Sequence, residues 1–84
     1  MFVISIKSAS APGLSAFLES TRGHRSTFQA KGFETKEDAE LFLAVTRSKT
    51  HYYAPEIVGP TFNERLMKAE IRSVIECRSD LKVI

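Results

Sequence analysis

Residues 35–49 constrain this chain most, because they carry every signal of one complete helix. Thr35 has the hydroxyl of an N-cap, and Asp38 occupies the third helical position, a capping box with aspartate in place of the usual glutamate. Ala39, Phe42, Leu43 and Thr46 follow at i, i+3, i+4 and i+7, flanked by Leu41 and Val45. Glu37, Asp38 and Glu40 gather at the start and Arg47 and Lys49 at the finish, as the helix dipole favours. Such a stripe needs an apolar surface to lie on. Residues 1–8 provide one: Phe2, Ile4 and Ile6 fall on one face and Val3, Ser5 and Lys7 on the other, the period of a half-buried strand. A helix on a sheet within 84 residues predicts a single α+β domain over 1–84.

The remaining segments fill in that frame. Thr27, Phe28 and Phe33 mark residues 25–33 as a second strand, a candidate partner of the first, with Gly32 weakening its end or marking a bulge. Between them Ser10 can cap a short helix, Pro12 suits its first turn, and Leu14, Phe17 and Leu18 keep helical spacing up to Gly23. A loop built on Pro12-Gly13 is the alternative. Residues 51–58 are aromatic and β-branched but contain Pro55, which predicts an edge strand or extended loop closed by Gly59-Pro60. Thr61 and Glu64 form a full capping box for a long second helix whose inward stripe is Met67, Ile71, Val74 and Ile75. Ser79 and Asp80 then punctuate, and residues 81–84 form a short last strand. The predicted architecture is a small, mainly antiparallel sheet of three or four strands with two main helices on one face. With the extra helix after the first strand, strands and helices would alternate; this ranks second, because doubly buried parallel strands are not polar at alternate positions.

Charge and composition narrow the chemistry. Twelve Lys and Arg stand against ten Asp and Glu, a formal +2, and 43% hydrophobic with 26% charged residues is ordinary globular composition. Cys77 is the single cysteine and cannot form an intramolecular disulfide, so a reducing, cytoplasmic setting is expected. The first apolar run, interrupted at Ser5, is far short of a signal-peptide core or a membrane span, and Lys7 is the lone cation of a Ser-rich first 18 residues. His24, His51 and Cys77 lie tens of residues apart without metal-ligand spacing. Gly13, Gly23, Gly32 and Gly59 are scattered singly, so no loop cradles a phosphate. Glu37, Asp38 and Glu40 belong to an exposed helix start, and Cys77 near a helix end reads as a semi-buried hydrophobe. No catalytic, metal or cofactor constellation survives, and a non-enzymatic binding protein is expected.

Two basic segments are the candidate binding residues. Arg22, Arg25 and Lys31 occur in a stretch without an acid between Ser20 and Phe33, and Arg47 and Lys49 run into Tyr52 and Tyr53. If the first segment opens a strand and the second follows the helix packed on it, they form one basic, aromatic surface. Cations would then meet phosphates and tyrosines would stack or anchor an interface. In the competing reading Arg47 and Lys49 serve the helix dipole, and Tyr52 and Tyr53 straddle an edge strand. Farther on, Glu64 with Lys68 and Arg72 with Glu76 keep i, i+4 spacing, while Leu66 and Ala69 widen the apolar face enough for a homodimer contact.

Two resemblances bear on function. Lys31-Gly32-Phe33 resembles the opening of the longer motif of the RNA-recognition-motif family, and Phe2-Val3-Ile4 its shorter one. Each covers three residues; where that family continues with a small residue and alternating aromatics, this chain has Glu34-Thr35-Lys36 and enters a helix. In general build the chain is similar to small accessory proteins of bacteriophages and mobile elements, anti-CRISPR inhibitors among them. The likeness lies in size, near-neutral charge, a lone cysteine and a strand pair leading into the helix start at Gly32 to Ala39. It implies a protein that blocks a host protein or nucleoprotein defence complex by occupying its surface, with Arg22, Arg25, Lys31, Arg47, Lys49, Tyr52 and Tyr53 as docking residues. Direct DNA or RNA binding by the same patch, and self-association, are the competing classes.

Overall fold

A computed structural model describes residues 1–7, 14–49 and 62–84. Its centre is β1 (Phe2–Lys7), whose side chains alternate as expected but are buried on both faces, Ser5 included. β1 pairs antiparallel with β2 (Ser15–Leu18) on one side and with β5 (Glu70–Ser73) on the other, and β2 pairs with β3 (Arg25–Ser26). The strand order is β3-β2-β1-β5. On one face lies α1 (Lys36–Lys49), capped by Thr35, whose Oγ1 accepts the Asp38 amide at 3.1 Å. Ala39, Leu43 and Thr46 are buried on its inner side, while Leu41 stays exposed. With the short α2 (Phe62–Met67), α1 closes the main core of Ile4, Ile6, Leu18, Phe33, Ala39, Leu43 and Leu66.

Three sequence expectations are corrected. Ser15 to Leu18 form a strand rather than a helix, because pairing along β1 buries Phe17 and Leu18 on opposite faces of the sheet. Gly23 does not end a helix: it closes the β2–β3 turn at φ 88°, a left-handed conformation natural to glycine, and donates to the Ser20 carbonyl at 3.1 Å. The long second helix stops at Met67. Ile71 of β5 instead lies opposite Ile4 and packs on the main core, and the next residues form a 3₁₀ turn (Val74–Glu76). Met67 and Ile75, expected to point inward, are 66% and 91% exposed. The β-branched Ile71, Val74 and Ile75 favour this outcome locally, and an open strand edge on β1 supplies the partner. One main helix and a four-stranded antiparallel sheet therefore make up the α+β fold.

The predicted strand over 25–33 is real but broken. β3 pairs with β2, not β1; the chain then bends at Thr27 and Phe28, and β4 (Gln29–Ala30) runs parallel to β6 (Lys82–Val83) as a separate pair. Phe33 returns to the main sheet beside Phe2, and the two exchange both backbone hydrogen bonds at 2.8 Å. The second, smaller core is built from Val3, Phe17 and Ala30, with Val74, Cys77 and Leu81 packed on it. Gly32 leaves room where β4 meets the C-terminal segment: a Cβ there would meet the Val83 and Met1 side chains, which would have to shift. No helix among the described residues is long and apolar enough to cross a membrane. The expected helix start at Ser10 and Pro12, the edge strand over 51–58, and the Thr61 cap lie outside the described residues.

Candidate functional site

The end of α1 and the β2–β3 turn meet, and this brings part of the two basic segments together. Lys49, on the last residue of α1, donates from Nζ to Thr21 Oγ1 at 3.1 Å. Arg22 follows Thr21 in the turn, is exposed, and donates its amide to Ser20 Oγ at 3.2 Å. Arg25 lies opposite Leu18 in the β2–β3 register, so it stands on the helix-covered face of the sheet. One of its Nη atoms donates to the Gly23 carbonyl at 3.3 Å. Burial, and second the nearby Arg65 guanidinium, pull Arg25 below the ordinary arginine range. Arg65 belongs to α2, so three elements contribute cations to one corner.

The other predicted residues fall differently. Arg47 is a clasp within the fold: its Nε and one Nη donate to the Leu66 carbonyl at 3.2 Å, and the same Nη donates to Met67 at 3.1 Å. These are terminal carbonyls of α2, and that of Leu66 also accepts the Ala69 amide at 3.2 Å, so Arg47 fixes α2 to the end of α1. Lys31 donates its amide to the Leu18 carbonyl at 3.1 Å, and its Nζ lies 5.8 Å from the centroid of Phe33. Tyr52 and Tyr53 lie outside the described residues. Reasoning from sequence missed Thr21, whose hydroxyl anchors Lys49, and Arg65, which is one of many alternating charges until α2 is placed beside β3.

An apolar groove of about 370 Å³ adjoins this corner, lined by Thr21, Phe33, Asp38, Leu41, Phe42 and Val45. Phe33 and Phe42 form its floor edge to face, with centroids 5.0 Å apart. Thr21 belongs both to this groove and to the Lys49 contact, and the charged side chain in the groove's lining is Asp38. Glu37, Asp38 and Glu40 are exposed at the opposite end of α1, which makes the helix acidic at its start and basic at its end.

A larger cleft of about 710 Å³ opens on the far face, with Ser5, Phe17, Arg72, Cys77, Arg78 and Asp80 among its walls. Its charges are engaged with one another: Arg72 lies 4.0 Å from Glu76, and Arg78 binds Asp80 through two nitrogens. Arg78 also donates to the Thr27 carbonyl at 3.2 Å and stacks 4.3 Å from the centre of the Phe28 ring. Burial pushes the Cys77 thiol above its ordinary value, and the thiol donates to the Ser73 carbonyl. It is thus a protonated packing group at neutral pH. Among the described residues no three His, Cys, Asp or Glu side chains gather to hold a metal. No known protein family, curated protein or solved structure matches this chain.

Proposed function

We propose that this protein acts by occupying a partner's surface, without catalysis, and that it docks through the corner where the β2–β3 turn meets the end of α1. The observation that carries this reading is the Lys49 to Thr21 hydrogen bond, which sets Lys49 and Arg22 on adjoining elements beside an apolar groove. Apolar contact area with cations on the adjoining elements is the composition of a surface that recognises an acidic protein face or the phosphates of a nucleoprotein. The partner class follows from the likeness to anti-CRISPR inhibitors: a host complex that handles nucleic acid, met in the cytoplasm. Arg22, Arg25 and Lys49 make the contact, and Arg47 holds α2 in place behind them.

The test is capture by the tagged protein from nuclease-treated and untreated bacterial lysate, repeated with Arg22→Glu/Lys49→Glu. We expect a stoichiometric protein complex that survives nuclease and whose retention falls roughly tenfold or more in the variant, with unchanged circular dichroism. Retention equal to wild type would remove this corner from the interface. The clustering of Arg25 with Arg65 favours a second reading, direct DNA or RNA binding. It predicts affinity for bare nucleic acid that falls linearly in logarithm with salt, and capture that nuclease abolishes.

A further inference from the structure

The sheet has an edge whose chemistry fits a second copy of itself. Among the described residues, β5 has β1 as its only strand neighbour. The direction of its backbone groups follows from β1. Phe2 spends its N–H and C=O on Phe33, on the β2 side, so Phe2, Ile4 and Ile6 face that way and Met1, Val3 and Ser5 face β5. The Met1 carbonyl agrees, since it accepts from the Val74 amide at 2.9 Å. Val3 pairs with Arg72 and Ser5 with Glu70, so those two β5 residues bond inward while Ile71 presents both its backbone groups to the outside and Ser73 its amide, the Ser73 carbonyl already accepting from the Cys77 thiol. Glu70 and Arg72 share the far face of the sheet, on either side of Ile71.

We propose that β5 pairs antiparallel with β5 of a second copy about a two-fold axis through Ile71. In that register each Ile71 exchanges both backbone hydrogen bonds with its counterpart. Glu70 of each copy then lies opposite Arg72 of the other, so one short sequence supplies two cross-strand ion pairs. Charge selects this register. The backbone pattern also permits axes at Arg72 and at Ser73, but the first sets Arg72 against itself and the second sets Glu70 against Glu76. Met67 and Ile75 lie equally far along the chain from Ile71, and the same axis brings the end of α2 in one copy toward the 3₁₀ turn of the other. Ile75, the most exposed large apolar side chain among the described residues, gains cover there. Leu66, which the sequence offered as a spare apolar face for dimerisation, is buried in the core and takes no part.

In that register Glu70, Ile71 and Arg72 pair within β5 and Ser73 lies opposite Ala69, a small interface, so weak and concentration-dependent association is expected. Analytical ultracentrifugation of the whole chain tests it, with circular dichroism as the folding control. The mass is expected to rise with concentration from 9.4 kDa toward twice that value. Glu70→Arg and Arg72→Glu, each alone, oppose like charges and lower association about tenfold or more, and Glu70→Arg/Arg72→Glu together restores it. Ser73→Pro is a second probe: its φ of −68° already suits proline, and the lost N–H is one that points outward. It should leave a folded monomer. A chain that stays monomeric to about 1 mM, a dimer indifferent to the single reversals, or a folded double variant that stays monomeric would each overturn the proposal. The Arg22 and Lys49 corner plays no part in these outcomes, so docking on a partner stands or falls separately.

Discussion

The two faces of β1 are buried by different means. Under α1, side chains from the sheet, both helices and Phe33 make one continuous apolar cluster. On the far face, among the described residues, the buried apolar cluster is Val3, Phe17 and Ala30, and the C-terminal segment that covers them brings Val74, Cys77 and Leu81, each partly buried. Position there is set by individual polar contacts. The Lys82 and Ile84 amides donate to Phe28 and Ala30, Gly32 donates to Ile84, and Arg78 ties Asp80, the Thr27 carbonyl and the Phe28 ring. An amphipathic helix can hold its place by area alone. A segment with few apolar residues needs directional bonds, and it leaves beside it a polar cleft.

Replacing Ile4 with alanine should show the strength of the first arrangement. Ile4 is fully buried beneath α1, and truncation of such a side chain costs about 2–5 kcal/mol. Denaturant unfolding should show that loss in the midpoint, and a small domain has little stability to spare. A loss below about 1 kcal/mol would mean that the helix-covered face is not the main source of stability.

Replacing Arg78 with alanine probes the other face and should act locally. The aromatic stack and the bond to the Thr27 carbonyl together contribute about 1 kcal/mol, and the exposed pair with Asp80 adds little. Hydrogen exchange should quicken at Lys82, Ile84 and Gly32, whose amides hold β6 to β4, and stay unchanged at Ile4, Ile6 and Leu43. Equal quickening on both faces would show that the C-terminal segment and the helix-covered core open as one unit.

The same contrast decides what could be read from the sequence. α1 was legible because its signals are local: Thr35 caps Asp38, the stripe keeps one period, and the charges match the dipole. β1 was legible by alternation, although nothing local announced that Ser5 would be covered too. Leu14, Phe17 and Leu18 fit a helical period as well as a strand, and the β1 edge decides between them. Residues 70–76 misled for an instructive reason: the Arg72 and Glu76 pair that suggests a helix does form, across the step from β5 into the 3₁₀ turn. At the site, the cations of the turn and of the helix end were visible as charge. Their meeting depends on the Thr21 hydroxyl, and the clasp role of Arg47 depends on carbonyls 19 and 20 residues away. Spacing rules within one element carry no information about such distances.

Acidity should separate the faces with the smallest effect. The hydrogen bonds from Arg78 hold the Asp80 carboxyl below the ordinary carboxylate range, against an opposing desolvation. A carboxyl whose folded value is depressed adds stability that is complete above its unfolded value and disappears as pH falls through the folded one. The thiol of Cys77 runs the other way: burial raises it, so its contribution is present below its unfolded value and fades as pH rises through the folded one. The far face therefore has a pH window, whereas the cluster under α1 is made of side chains that do not titrate. Carbon-detected NMR should place the Asp80 midpoint below that of an unfolded aspartate, and Arg78→Ala should return it to the ordinary range. In the same acid window the Lys82 and Ile84 amides should lose protection while those of Leu43 and Thr46 keep theirs. Because Asp80 is exposed, added salt should shrink the shift; an Asp80 that titrates normally in the wild type would mean that Arg78 secures the segment through Thr27 and Phe28 alone.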